Sequence, residues 1–311
     1  LLPKRCAAVS KPQTFSPRSE PMTLTKDKAA LNDWYVVGIS KDVTPSAPRR
    51  TRLLGQDIRV TRAADGAVGV TLAGGEEDGR AARAEEHYGF IWATFGAPNR
   101  GIFPLAEAFE PDRRVVTCGT VDVAASGLRL VENFLDMAHF PFVHTDILGA
   151  LDKPEVEQYQ AEIRTDVDEV WATNCRFWQP LAAAASKGGQ MSHYVYRVVT
   201  PFNVLLYKTC PEAPDRFDVI ALFSQPVEAD RSIAYPLMVV VDSISTAEDI
   251  VMFQQKIFLQ DRIILENQRP RTLPLDPRAE IPTRADLSSV AYRRWLKTKA
   301  LRYGSYEYEE A

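Results

Sequence analysis

Cysteine and histidine are both scarce in this chain, four of each in 311 residues. The cysteines, Cys6, Cys118, Cys175 and Cys210, are scattered, with no C-x-x-C, C-x-H or C-x-x-H spacing. That excludes a sequence-local zinc or iron–sulfur ligand set. The even spacing of a secreted disulfide framework is missing as well, so buried, reduced thiols in a cytoplasmic protein are expected. No apolar run reaches the roughly eighteen residues that would span a membrane. Positive charge is not in excess either: 37 Lys and Arg stand against 41 Asp and Glu, a formal net charge of −4. A nucleic-acid-binding surface is therefore not expected.

Neither an internal repeat nor a low-complexity tract interrupts the chain, and its 45% hydrophobic, 25% charged composition is that of a soluble globular protein. The opening "LLPKRCAAVSKPQTFSPRSEP" lacks the continuous apolar core and cleavage site of a secretory signal. Met22 is the first methionine. Residues 1–30 are expected to be a disordered arm or an upstream leader outside the fold.

Short β-like runs, "WYVVGI", "RTRLLGQDIRV", "VGVTLAG" and "YGFIWATFG", separated by Gly, Pro and charged turns, predict a small antiparallel β domain over 31–112. From residue 113 the alternation lengthens, in "RRVVTCGTVDV", "EIRTDVDEVWATNCRFW", "HYVYRVVTPFNVLLYKTC", "FDVIALFSQPV" and "RSIAYPLMVVVD", and predicts one extended antiparallel sheet. Helical patterns bracket it: Gly127 to Phe140, ended or kinked by Pro141; Ser245 to Pro270, opened by a capping box of Ser245 and Glu248; and "DLSSVAYRRWLKTKA" at the close. Strands and helices so segregated make an α+β domain over 113–311.

The first helix carries the polar groups that need explaining. Leu128, Leu130, Val131, Phe134, Leu135, Met137 and Ala138 surround it, which marks it as buried. Glu132, Asn133, Asp136 and His139 nevertheless form one narrow polar stripe. Burying such groups costs several kcal/mol unless they bind one another or a cation. His144 follows His139 by five residues. A straight helix would hold the two roughly 140° apart; Pro141 between them breaks that geometry and can turn His144 back.

The helix from Ser245 offers a third group. Asp261 falls within its apolar face, with Ile257, Ile264 and Leu265 as helical neighbours. Two imidazoles and one carboxylate leave coordination positions open, the facial arrangement suited to non-haem Fe(II). Zinc in a hydrolase uses similar ligands, and ligand types alone do not separate the two. Asp136, one turn before His139, is placed to accept from its imidazole and fix the tautomer.

The stretch "ENFLDMAHFPFVH" resembles the E-N-x-x-D-x-x-H-x-x-x-x-H motif of the Rieske non-haem iron oxygenases, and "FLQDRIILENQ" resembles the helix that carries their third ligand. "DWYVVGISKDV", "RTRLLGQDIRV" and "YGFIWATFG" are similar to the N-terminal part of the same enzymes, so the resemblance spans about residues 31–302. It implies a helix-grip (START-like) catalytic domain preceded by a small Rieske-type β domain. Typical members hold a Rieske cluster between the second and third of these segments. Here that interval contains no cysteine and one histidine, His87, whereas the cluster needs two of each. The β domain is thus expected to be truncated, without its cluster-binding part, and His87 to be an exposed or strand-edge residue.

Within the family the residues look most like Rieske-less oxygenase components that demethylate methylxanthines at N7. The resemblance rests on "GLRLVENFLDMAHFPFVHTDILGA", "PDRRVVTCGTV", "LLYKTC" and "TLPLDPRAEIPTRADLSSVAYRRWL". It implies Fe(II) on His139, His144 and Asp261, O2 as co-substrate, Asp136 and Asn133 in catalytic roles, and Asp136 as the bridge by which electrons arrive. The electrons would derive from NAD(P)H through a separate reductase carrying a Rieske domain. A glutathione-S-transferase-like structural protein and a homotrimer are also implied. Asn267 and Gln268 are candidate amide contacts for a planar purine. Two alternatives are a monooxygenase acting on another small aromatic or N-methyl compound, and a noncatalytic assembly subunit.

Overall fold

Alternation of apolar and polar residues between Tyr35 and Thr94 builds the first layer. The computed structural model describes residues 24–74, 78–276 and 278–306. Helix α1 (Lys28–Leu31) falls inside the segment expected to be an arm, capped by the Asp27 carboxylate, which accepts from the Ala29 and Ala30 N–H groups. The same carboxylate accepts from the backbone of Arg302 and Tyr303, which ties this end of the chain to the other. Residues 1–23 lie outside the described residues.

Strands β1 (Tyr35–Ile39), β2 (Arg49–Leu53), β3 (Gln56–Arg62), β4 (Val68–Leu72), β5 (Ala81–His87) and β6 (Phe90–Thr94) form a six-stranded antiparallel sheet in the order β1-β6-β5-β4-β3-β2. His87 ends β5, with Nε2 3.3 Å from the Glu85 carboxylate.

A second sheet has eight strands: β7 (Arg114–Thr117), β8 (Val121–Val123), β9 (Gln160–Arg164), β10 (Glu169–Gln179), β11 (Gln190–Thr200), β12 (Asn203–Thr209), β13 (Phe217–Glu228) and β14 (Arg231–Val240). Its order is β7-β14-β13-β12-β11-β10-β9, with β8 pairing β14, every ladder antiparallel. Helices α2 (Gly127–Leu135), α3 (Phe140–Val143), α4 (Ala247–Asn267) and α5 (Leu287–Thr298) complete the fold.

Period-two alternation sends the side chains of β12, β13 and β14 to opposite faces, and both faces are covered. Leu205, Ala221, Phe223, Tyr235 and Leu237 pack with Trp34, Val36, Phe90 and Trp92 of the first sheet. Val204, Leu206, Ile220, Leu222 and Met238 belong to the other core, with Leu128, Leu135, Ile250 and Phe258 of the helices. That is why β13 reads as a nearly unbroken apolar run rather than an alternating one. Helix α2 lies close against the sheet at Gly127, where an added Cβ would come 2.5 Å from Ser224 Oγ and 2.8 Å from the Phe202 ring.

Two helix boundaries differ from the sequence expectation. The capping box of α4 is Thr246 with Asp249, not Ser245 with Glu248, because Asp242 already engages the Ile244 and Ser245 N–H groups in the preceding turn. Helix α2 stops at Leu135, short of Phe140, because Asp136 leaves the helical conformation with ψ 124°. Among the described residues no helix is long and apolar enough to cross a membrane.

Candidate metal centre

The early end of α2 shapes the site. Asp136 turns the chain and holds the turn with its own carboxylate, one oxygen accepting from Ala138 N–H at 2.7 Å and the other 2.9 Å from His139 Nδ1. Pro141 sits in the first turn of α3, where a missing N–H costs nothing. His139 and His144 therefore flank a separate short helix instead of sharing a long one. Their ring centroids lie 5.0 Å apart, with the planes inclined at 69°.

Helix α4 supplies the third group. Its inward face carries Ile250, Gln254, Ile257, Phe258, Asp261 and Leu265, all buried. Asp261 Oδ1 lies 3.2 Å from His139 Nε2 and 3.0 Å from His144 Nε2. The two histidines and the aspartate each bring a ligand atom within 4.8 Å of the others.

The outward nitrogens explain what the inward ones are for. His139 Nδ1 faces Asp136 and His144 Nδ1 faces the Gln260 side-chain oxygen, each at 2.9 Å. Both acceptors draw the ring proton outward, so each Nε2 is left with its lone pair toward Asp261. Two ring nitrogens and a carboxylate oxygen converging in a buried space need a positive charge among them, a proton on an imidazole or a metal ion. The donor set and its orientation thus fit a divalent metal with open positions, mononuclear iron included.

The electrostatics agree. Burial alone would lower His139, yet the hydrogen bonds and charges of Asp136 and Asp261 raise it to about 9. Burial would raise Asp261, but the two imidazoles hold it at about 2. The site behaves as a strongly anionic locus that retains a proton where a metal is not there to replace it.

The rest of the polar stripe divides between two jobs. Glu132 takes no part in the cluster: it accepts from Arg293 at 2.5 and 2.8 Å and lies 3.3 Å from Arg129, in a network with Glu280 that fastens α2 to α5. Asn133 lines the cavity that holds the histidines and also a second, outer cavity, which Asp136 lines too. Asn267 is exposed and donates to the Ile263 carbonyl of its own helix; Gln268 caps that helix and lines the outer cavity. Neither amide reaches the cavity of the histidines, because α4 ends beyond it.

Several residues around the cavity are not evident in the sequence: Gln260 behind His144, and Tyr194, Tyr196, Lys208 and Asp218 in the wall. Gln260 had one available signal, its place beside Asp261, but a neighbour in a helix points about 100° away. The others lie on strands whose pairing is not written in local sequence. Among the described residues Cys118, Cys175 and Cys210 are free and buried, and no cysteine cluster is formed.

Residues 123–302 match the family model described as the vanillate O-demethylase oxygenase C-terminal domain. A protein of Pseudomonas sp. (strain TJI-51) named as a probable methylxanthine N7-demethylase, NdmC, is 46% identical over 276 residues, which is 88% of this chain and 96% of that one. The methylxanthine N1-demethylase NdmA of Pseudomonas putida is 24% identical over 222 residues, 68% of this chain and 59% of that protein. Among solved structures, Pseudomonas putida NdmA with caffeine superposes with a TM-score of 0.68 at 19% identity, covering 85% of this chain and 89% of its own. Dicamba monooxygenase bound to dicamba superposes with a TM-score of 0.66 at 16% identity, covering 87% and 97%. Taken with the His139–His144–Asp261 cluster, the family match and this kinship establish that the chain belongs to the Rieske oxygenase catalytic-domain family, as an oxidoreductase homologous to the methylxanthine N-demethylases.

Proposed function

We propose that this chain is the oxygenase component of a methylxanthine demethylase and removes the N7-methyl group of 7-methylxanthine, giving xanthine and formaldehyde. The observation that carries the reading is the two-histidine, one-carboxylate cluster set in a chain 46% identical to a probable N7-demethylase. His139, His144 and Asp261 would hold ferrous iron, which would supply dioxygen activation for hydroxylation of the methyl carbon. The resulting hemiaminal falls apart without further oxidation. The balance is one O2, two electrons and two protons consumed, one water and one formaldehyde released.

The chain's own residues do the rest. Asp136 and Gln260 orient the two imidazoles, and the apolar wall of Leu206, Ile220, Met238 and Phe253 excludes water and receives the flat faces of the heterocycle. Asn133 stands between the inner and outer cavities, where it can orient substrate or co-substrate.

Four cysteines without Rieske spacing hold no electron relay, so electrons come from a separate reductase that carries a Rieske domain and draws on NAD(P)H. Asp136 is the bridge: its carboxylate meets His139 on one side and lines the outer cavity on the other. The six-stranded sheet is then a Rieske-type domain that has lost its cluster-binding part, set beside a helix-grip domain. A glutathione-S-transferase-like structural protein and a homotrimeric assembly complete the proposal.

The test is product formation from a panel of N-methylxanthines by the anaerobically iron-loaded chain. Peroxide drives it, so no partner is needed, and Asp261→Ala runs alongside. Xanthine and formaldehyde from 7-methylxanthine, absent with the variant, support the reading. Bound iron with no product from any methylxanthine overturns the substrate, and no bound iron overturns the enzyme.

A further inference from the structure

Strand register arranges the sheet side of the inner cavity in rows. Tyr196, Leu206, Ile220 and Met238 stand opposite one another across β11, β12, β13 and β14. The adjoining row holds Tyr194, Lys208 and Asp218. All seven line the cavity that also contains His139, His144 and Asp261. One row is mainly apolar and the next is polar, which is the lining expected of a site that grips a flat ring and also reads its edge.

The polar row is incompletely used by the protein. Lys208 is 7% exposed and donates to the Ala182 carbonyl, its one acceptor among the described residues, although an ammonium carries three donors. Asp218 is 5% exposed; it accepts from Val241 N–H at 2.9 Å, and Arg113 lies 3.9 Å away. The two are direct cross-strand neighbours, yet no ion pair joins them among the described residues. Burial lowers Lys208 to about 7 against the charge of Asp218, and raises Asp218 against the Val241 N–H, the Cys210 side chain and the charges of Arg113 and Lys208, so desolvation outweighs compensation at both. The buried Tyr194 hydroxyl, in the same row, finds no well-placed hydrogen-bond partner among the described residues. Buried donors and acceptors left in this state carry a desolvation penalty that a matching ligand would relieve.

We propose that Lys208 and Asp218 read the lactam edge of the substrate, a ring carbonyl beside an unsubstituted ring N–H. The Lys208 ammonium donates to the carbonyl oxygen, and the Asp218 carboxylate accepts from the N–H. The proposal rests on the demethylase reading above and narrows it to methylxanthines whose six-membered ring keeps a free N–H. A methyl group on that nitrogen removes the donor and sets a carbon against a carboxylate, which holds the whole edge, carbonyl included, away from both residues. Both residues are specificity determinants, distinct from the metal ligands.

A purely structural role for Lys208, fastening the loop at Ala182, predicts a different pattern, so the test compares two ligands. Binding of 7-methylxanthine and 1,3,7-trimethylxanthine to the iron-loaded full chain is measured by anaerobic calorimetry for the unaltered protein, Lys208→Met and Lys208→Gln. Iron content and melting temperature of each variant are checked. The expected result is that 7-methylxanthine binds at least about tenfold tighter than the trimethylated ligand, that Lys208→Met removes most of that ratio, and that Lys208→Gln, which keeps a donor, restores part of it. Equal weakening of both ligands by Lys208→Met, or no weakening of either, overturns the lactam reading and leaves the demethylase intact. So does a trimethylated ligand that binds as well as 7-methylxanthine to the unaltered chain. Failure of the unaltered chain to bind either ligand overturns the demethylase reading, and this inference with it.

Discussion

The Asp136 carboxylate lies 2.9 Å from His139 Nδ1 while its side chain stays 28% exposed toward the outer cavity. It touches a candidate metal ligand from behind and solvent from in front. Under the proposed function, loss of its hydrogen bond should loosen the metal only modestly, on the order of tenfold, whereas an electron route through it would be lost outright. Asp136→Ala is therefore expected to retain iron and to keep peroxide-driven turnover within about tenfold. Turnover driven by a Rieske-bearing reductase should fall by about a hundredfold or more. An equal fall in both assays would reduce Asp136 to an orienting group.

Asp261→Ala removes the one anionic ligand and leaves two imidazoles, too few to hold a divalent ion against chelators. Iron measured after desalting should drop to background, and product with it. Melting of the metal-free chain should fall at neutral pH, because the variant takes the carboxylate away from the protonated His139. Full iron in the variant would place the metal elsewhere.

Metal loading should depend steeply on pH. With His139 raised to about 9, the metal-free site holds a proton at neutrality that an incoming cation must expel. Apparent affinity should rise about tenfold per pH unit and level off near pH 9. Calorimetry in buffers of different ionisation enthalpy should show close to one proton released per metal near pH 7. The converse holds for stability: the contribution of the His139 proton to the metal-free fold is complete below the ordinary histidine value and lost as pH rises through about 9. A pH-independent affinity between 6 and 8 contradicts this.

Sequence patterns carried the α+β architecture and the long antiparallel sheet because period-two runs and capped helices are local properties. The candidate ligands were legible for a related reason: histidines and an aspartate set among apolar neighbours are anomalous wherever the chain folds. Less legible was the end of α2. A buried helix pattern runs unbroken to Phe140 in the sequence, and only the competition of the Asp136 side chain for nearby donors stops it at Leu135. Lys208 and Asp218 escaped notice because each alone is an ordinary strand residue. Their pairing is fixed by a ladder that joins residues distant in the chain.

Glu132 offers a control separate from the chemistry. It shares Arg293 and Arg129 with Glu280 in a largely buried network. Glu132→Ala leaves both guanidinium groups with only half their compensation. The expected destabilisation is about 3 kcal/mol, seen as a lower melting temperature or denaturant midpoint. Iron bound per folded molecule should not change, and a selective loss of iron would draw this network into the metal centre.

The double coverage of the large sheet bears on modularity. Phe223, Tyr235 and Leu237 rest on Trp92 and Phe90, so the two sheets share one hydrophobic seam rather than meeting as separable units. A chain cut at the boundary between them would present that seam to water and invite self-association. The six strands form the back wall of the sheet that lines the inner cavity, so the chain cannot shed them without uncovering that sheet's own core.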